Sequence, residues 1–174
     1  MIVLETDRLK LRPFTEQDLP RYLDLVGDAE VMRYIGRGVT LDAAGAWGQI
    51  AMILGHWHLR NYGLWAVEHK STGALLGRAG LYNPEGWPGL EIGWALNRAY
   101  WGQGFATEAA RAALDWAFET LEADRIISCI QPANKPSIRV AERIGERYLW
   151  DQPLLGIPTR IYGIERADWA ASRT

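Results

Sequence analysis

The sequence predicts a mixed α/β or α+β domain. Three observations carry that expectation. Short runs of alternating or β-branched apolar residues recur along the chain, divided by turns bearing glycine or proline. Between them lie segments whose apolar residues repeat every three to four positions, the period of a helix. No internal repeat, low-complexity tract or linker interrupts the series, so residues 1–174 are expected to form one domain.

Residues 9–12 alternate like a first strand, which Pro13 ends. Thr15, with Asp18 three residues on, resembles a capping box. Leu19, Tyr22, Leu23 and Val26 then form one apolar helical face. A second helix is expected to open at Thr40, with Ala43, Trp47, Ile50 and Leu54 on one side. Residues 64–68 and 75–81 read as a hairpin around Ser71-Thr72-Gly73, and 83–89 as a loop. Residues 90–96 make a fourth strand. Its interior Gly93 signals a bulge or the close approach of a ligand.

A long helix is expected over 105–121, with a narrow face of Ala106, Ala110, Ala113, Ala117 and Leu121 suited to close packing on a sheet. The isoleucine-rich segment 125–130 reads as a strand buried on both faces. A short helix follows over 136–144, with Pro136 in its first turn and Gly145 at its stop. Residues 148–155 and 159–165 form a closing strand pair.

Composition excludes several classes of function. With 48% hydrophobic and 23% charged residues the chain is globular in type. A net charge of -2 supplies no field that would draw nucleic acid or anionic lipid, so neither is an expected partner. One cysteine, Cys129, builds no intramolecular disulfide and fits a reducing compartment. The opening residues do not read as a signal peptide and no apolar run reaches a membrane span, so the cytoplasm is the expected location. His56 and His58 are two apart on a helix and share no face, and no other ligand-spaced cluster occurs, so no metal is expected. Nine tryptophans are unusual. Trp47, Trp57, Trp65 and Trp87 are read first as core, second as pocket walls.

The most informative segment is Trp101-Gly102-Gln103-Gly104-Phe105-Ala106-Thr107-Glu108, placed between a strand and a helix. Its glycines let backbone N–H groups approach an anion. The helix that follows adds unpaired donors and the positive end of its dipole. On Gly-x-Gly alone, a tight strand-to-helix turn without a ligand is the favoured reading. The segment lacks the Gly-Lys-Ser/Thr ending of a Walker A loop and the third glycine of a dinucleotide fingerprint. A nucleotide-binding module is therefore disfavoured.

In context, Trp101 to Ala106 resembles the Gln/Arg-x-x-Gly-x-Gly/Ala motif of the GNAT superfamily of N-acetyltransferases. Trp101 at the first position, followed by Thr107-Glu108-Ala109, looks like its RimJ/RimL branch. So do Asn134-Lys135-Pro136-Ser137-Ile138 and Arg143-Ile144-Gly145, although Glu146 stands where a phenylalanine is usual. Thr6 to Pro13 and Tyr162 to Trp169 resemble the branch's opening and closing strands, so the likeness runs nearly end to end. It implies a mixed sheet of about seven strands, splayed between the fourth and fifth and flanked by about four helices.

The resemblance further implies acetyl-CoA as co-substrate. Trp94, Ala95 and Leu96 would meet the pantetheine arm by strand addition. Trp101, Gly102, Gln103, Gly104, Phe105, Ala106 and Thr107 would hold the pyrophosphate. Asn134 would bond the pantetheine amides, or cap its helix. Arg139 and Arg143 would reach phosphate oxygens, or form a solvated helix face. A backbone N–H at a bulge near Trp94 or Ala95 would stabilise the oxyanion.

Glu91 is the candidate general base, against a plain strand-end carboxylate. Ser137 is the candidate proton donor to the leaving thiolate as well as a cofactor contact, against a helix-start hydroxyl. Cys129, inside an apolar strand, is a buried thiol rather than a nucleophile. The expected acceptor is a primary amine, on a small molecule or a protein N-terminus, attacked directly by a monomer or homodimer. A non-catalytic acyl-CoA-binding or sensory domain is the alternative.

Overall fold

The computed structural model describes residues 2–173. Strands β1 (Leu4–Glu5), β2 (Leu9–Arg12), β3 (Leu64–His69), β4 (Leu75–Tyr82), β5 (Glu91–Leu96), β6 (Arg125–Ile130), β7 (Arg147–Asp151) and β8 (Arg160–Glu165) form one sheet in the order β1-β2-β3-β4-β5-β6-β8-β7. Every neighbouring pair is antiparallel except β5 and β6. The helices are α1 (Leu19–Val26), α2 (Ala29–Met32), α3 (Ala43–Arg60), α4 (Phe105–Thr120), α5 (Lys135–Arg143) and α6 (Arg166–Ala171). The fourth and fifth strands expected from sequence are β5 and β6, because β1 precedes them.

The extra elements β1, α2 and α6 run for two, four and six residues. Each is too short for a period to show. The second expected helix starts at Ala43 rather than Thr40, because the Asp42 side chain accepts the Gly45 N–H and takes over as cap. The Asp18 carboxylate accepts from the Thr15 N–H and is gripped by both terminal nitrogens of Arg12 at 2.8 Å. Arg12 also meets Glu68, so one guanidinium ties β2 to β3 and to the start of α1.

The alanine face of α4 packs on the sheet. Ala109, Ala110, Ala113 and Ala117 are fully buried, and the absence of longer side chains lets the helix approach closely. Trp57, Trp65 and Trp116 stack edge to face around the same core. Burial of each such ring contributes on the order of 2–3 kcal/mol. Gly145 adopts φ +98 after α5 and turns the chain into β7. None of the helices among the described residues is long and apolar enough to cross a membrane.

Candidate active site

The parallel pair β5–β6 opens almost as soon as it begins. It registers only at Glu91 with Ile127, and the Ile127 N–H donates to Leu90 O at 2.9 Å. One residue further, the Ser128 hydroxyl donates to Ile92 O at 2.8 Å. Beyond that the strands diverge. The splay comes from the two neighbours on the far sides: β4 holds β5 from Glu91 to Leu96, and β8 holds β6 from Arg125 to Ile130.

A cleft of about 440 Å³ occupies the splay and spreads onto the face covered by α1 and α3. Glu91, Trp94, Asn134 and Ser137, four of the residues singled out from sequence, line it together. Tyr34, Ile35 and Met52 border it from the helical side, and Leu154, Leu155 and Ile157 from the β7–β8 loop. The expected bulge at Gly93 is absent, because β4 and β5 keep register throughout. Ladder irregularities occur instead at Val67/Glu68 and Tyr148/Trp150. Gly93 makes room rather than bending the strand. A Cβ there would stand in open cleft, 3.9 Å from Glu91 Oε1.

Glu91 keeps only limited access to the cleft. Burial is the largest influence on its carboxyl and raises its pKa to about 7. Hydrogen bonds from Trp87 Nε1 to Oε2 at 2.5 Å and from the Cys129 N–H to Oε1 at 3.3 Å pull against that rise. A carboxyl so poised exchanges a proton near neutrality. The Cys129 thiol is pushed far up, first by burial and then by the charges of Glu91 and Glu146, and it offers no thiolate.

Asn134 caps α5 by accepting the Ser137 N–H at 3.3 Å, so the capping reading holds. Its Nδ2 makes no hydrogen bond among the described residues and remains open to a ligand in the cleft. Arg139 and Arg143 are exposed on α5 and do not line the cleft. Ala95 and Leu96 are buried within β5.

The glycine turn lies at the surface beyond the end of β5. Gly102 and Gly104 take φ +74 and +83, left-handed conformations that suit glycine. No side chain caps α4, so its first-turn N–H groups are open. Trp101 Nε1 donates to Leu96 O at 2.7 Å and Gln103 Nε2 to Ala99 O at 2.9 Å, so both side chains brace the turn. Arg8 reaches the same turn from the chain's start. It donates to Gln103 O at 3.0 Å, pairs with Glu108 and stacks on Phe105. Sequence gave no sign of that cation, because it comes from about a hundred residues away.

Tryptophan roles divide. Trp57 and Trp65 are core, Trp47 is exposed, and Trp87 holds Glu91. His56 braces the loop after β4, bonding Tyr62 O and accepting the Asn83 N–H. Two more groups stand out here, Arg78 with no signal in the sequence and Glu146 marked there only as a departure from the family pattern. Arg78 is a buried guanidinium on the cleft wall, and Glu146 is a buried carboxyl whose two oxygens have no hydrogen-bond partner.

The chain matches the family model described as acetyltransferase (GNAT) domain over residues 8–147. YkkB, an uncharacterized protein of Bacillus subtilis strain 168, is 36% identical over 164 residues, covering 87% of this chain and 91% of its own. YnaD of the same organism, named an uncharacterized N-acetyltransferase, is 34% identical over 149 residues, covering 83% and 82%. The crystal structure of an acetyltransferase from Agrobacterium tumefaciens strain C58 matches with TM-score 0.83 and 33% identity over 95% of both chains. With its sheet opening between β5 and β6 and uncapped α4 behind a glycine turn, the chain belongs to the GNAT acetyltransferase family.

Proposed function

We propose that the protein transfers an acetyl group from acetyl-CoA to a primary amine by direct attack, with both reactants held in the β5–β6 splay. The observation that carries this reading is the placement of Glu91. A carboxyl able to ionise near neutrality stands at the vertex of the opening, in the cleft that Asn134 and Ser137 also line. The pantetheine arm extends the sheet along the unpaired edge of β5 past Trp94, and Asn134 Nδ2 meets its amides. The pyrophosphate sits on the open amides of Gly104, Phe105, Ala106 and Thr107, with Arg8 beside them.

The incoming ammonium gives its proton to Glu91, directly or through a water. The free amine attacks the thioester carbonyl, and a backbone N–H of β5 near Trp94 meets the oxyanion. As the C–S bond breaks, the acetylated nitrogen gives up its second proton and the departing sulfur gains one through the Ser137 hydroxyl, leaving the amide and free coenzyme A thiol. Holding both reactants in one cleft supplies much of the rate. The test is release of coenzyme A thiol from acetyl-CoA with a panel of primary amines, with mass detection of the N-acetyl product. Thiol release that no amine accelerates would refute transfer.

A further inference from the structure

Arg78 is the least explained group in the cleft. It lies on β4 with only 9% of its surface exposed, yet it lines the cavity. No carboxylate forms an ion pair with it among the described residues, whereas Arg8, Arg12 and Arg125 all have one. Its charge is felt by Tyr22, Tyr82 and Glu91. Two of these are phenols, of which Tyr22 is within hydrogen-bonding reach of the guanidinium without supplying a counter-charge, and Glu91 stands beyond ion-pair distance. A buried cation without a counter-ion is costly unless something else supplies the negative charge.

Register places that charge. Arg78 pairs with Ala95 and Tyr82 with Glu91, so Arg78 and Glu91 project from the same face of neighbouring strands. Their Cα positions lie about 14 Å apart along the strand direction, a span the two side chains shorten from both ends. Between them stands Gly93, whose absent side chain leaves the cleft open. A base and a guanidinium without a counter-ion therefore flank one glycine-lined stretch of sheet. The thioester side lies across β5, on the edge facing β6, so Arg78 belongs to the acceptor half.

We infer that Arg78 anchors a carboxylate of the acceptor, which is thus a small amino-carboxylate held over Gly93 with its amine at Glu91. The inference rests on the acetyltransferase reading above. A guanidinium takes a carboxylate by two parallel hydrogen bonds. One cation among Tyr34, Ile35, Met52 and Leu155 balances one negative charge, and a phosphate dianion would leave charge over in an apolar pocket. Tyr22 and Gln49, joined at 2.7 Å, buttress the helical side of the same wall.

The experiment compares amino acids and longer ω-amino acids with their primary carboxamides, using kcat/KM at saturating acetyl-CoA. At least one acid should exceed its amide by tenfold or more, mainly through KM. Arg78→Gln should erase that preference and leave the KM for acetyl-CoA unchanged. Arg78→Lys should keep part of it, and thermal melts of each variant check folding. Amides matching acids in every pair, or a peptide amide outrunning all of them, would overturn the inference while leaving acetyl transfer intact. If no amine turns over, binding of the same acids to the acetyl-CoA complex decides, because affinity lost on Arg78→Gln still supports the anchor and unchanged affinity overturns it.

Discussion

Trp87 Nε1 donates a 2.5 Å hydrogen bond to Glu91 Oε2, across the loop that leads into β5. The bond favours the charged carboxylate and opposes the rise that burial imposes. The base form of Glu91 is therefore half populated at about pH 7. Activity at low acceptor concentration should climb as pH passes that value. Trp87→Phe removes the opposing bond, so the midpoint should move to higher pH. Glu91→Gln should lower turnover on the order of 10²-fold or more, with partial recovery at high pH where the amine arrives already neutral. Profiles of kcat/KM against pH for the three proteins check this. Full activity of Glu91→Gln at every pH would remove it from the mechanism.

The glycine turn gives a prediction about affinity. Gly104 holds φ +83, and a Cβ there would lie 3.4 Å from Arg8 Nη2. Aspartate tolerates left-handed backbone better than most residues. Gly104→Asp should therefore fold, place negative charge against the pyrophosphate and engage Arg8. Acetyl-CoA affinity should fall by about tenfold or more. Calorimetry on a variant with an unchanged melting profile measures it, and equal affinity would move the pyrophosphate elsewhere.

Much of the scaffold was legible because its signals are local. The alanine face of α4, the glycine turn, the Asn134 cap and the strands near 64–96 all follow from residues within a few positions of each other. What stayed hidden depends on register and long-range pairing. Arg78 reads as one charge in a strand until the sheet sets it opposite Ala95. Arg8 gains meaning only beside Glu108, and Trp87 looks like core until the loop folds it onto Glu91. Gly93 was legible as an exception, but a bulge and an open cleft share the same sequence sign. Only the unbroken β4–β5 ladder separates them.

Glu146 was visible as a departure from its family, though not as a buried acid. It is 3% exposed and both oxygens lack a hydrogen-bond partner. Burial raises its carboxyl well above 4.5, Ser128 offsets part of that, and the Glu91 charge adds to it. The Ser128 hydroxyl donates to Ile92 O and lies beside Glu146, close enough to offset part of the rise without meeting it in a well-formed hydrogen bond. A raised folded pKa means the folded state holds the proton longer than the unfolded state. The contribution of this group to stability is then greatest below about pH 4.5 and declines above it, by at most about 1.4 kcal/mol per pH unit, until the folded group ionises. Glu146→Gln removes this titration. The variant should melt higher than the parent, by a margin that widens from pH 5 to pH 8. The Glu91 charge acts on Glu146, so the same comparison in a Glu91→Gln background separates the two titrations. Parallel melting curves across that range would disprove the assignment.

Ser137 separates leaving-group assistance from amine deprotonation. It lines the cleft at the start of α5, where its own N–H is held by Asn134. A hydrogen bond to the departing thiolate stabilises it in the transition state at any pH. Ser137→Ala should slow turnover, and raising the pH should not restore it by supplying neutral amine, because deprotonation of the amine is intact. Its profile should run parallel to the parent's and lower, while that of Glu91→Gln moves part of the way toward the parent's at high pH. The Asn134 cap does not need the hydroxyl, so the helix survives and melting temperature should barely change. A Ser137→Ala profile that moves toward the parent's at high pH, like that of the Glu91 variant, would place the serine on the acceptor side. One superimposed on the parent would leave it a helix-start hydroxyl, with the thiolate protonated by solvent.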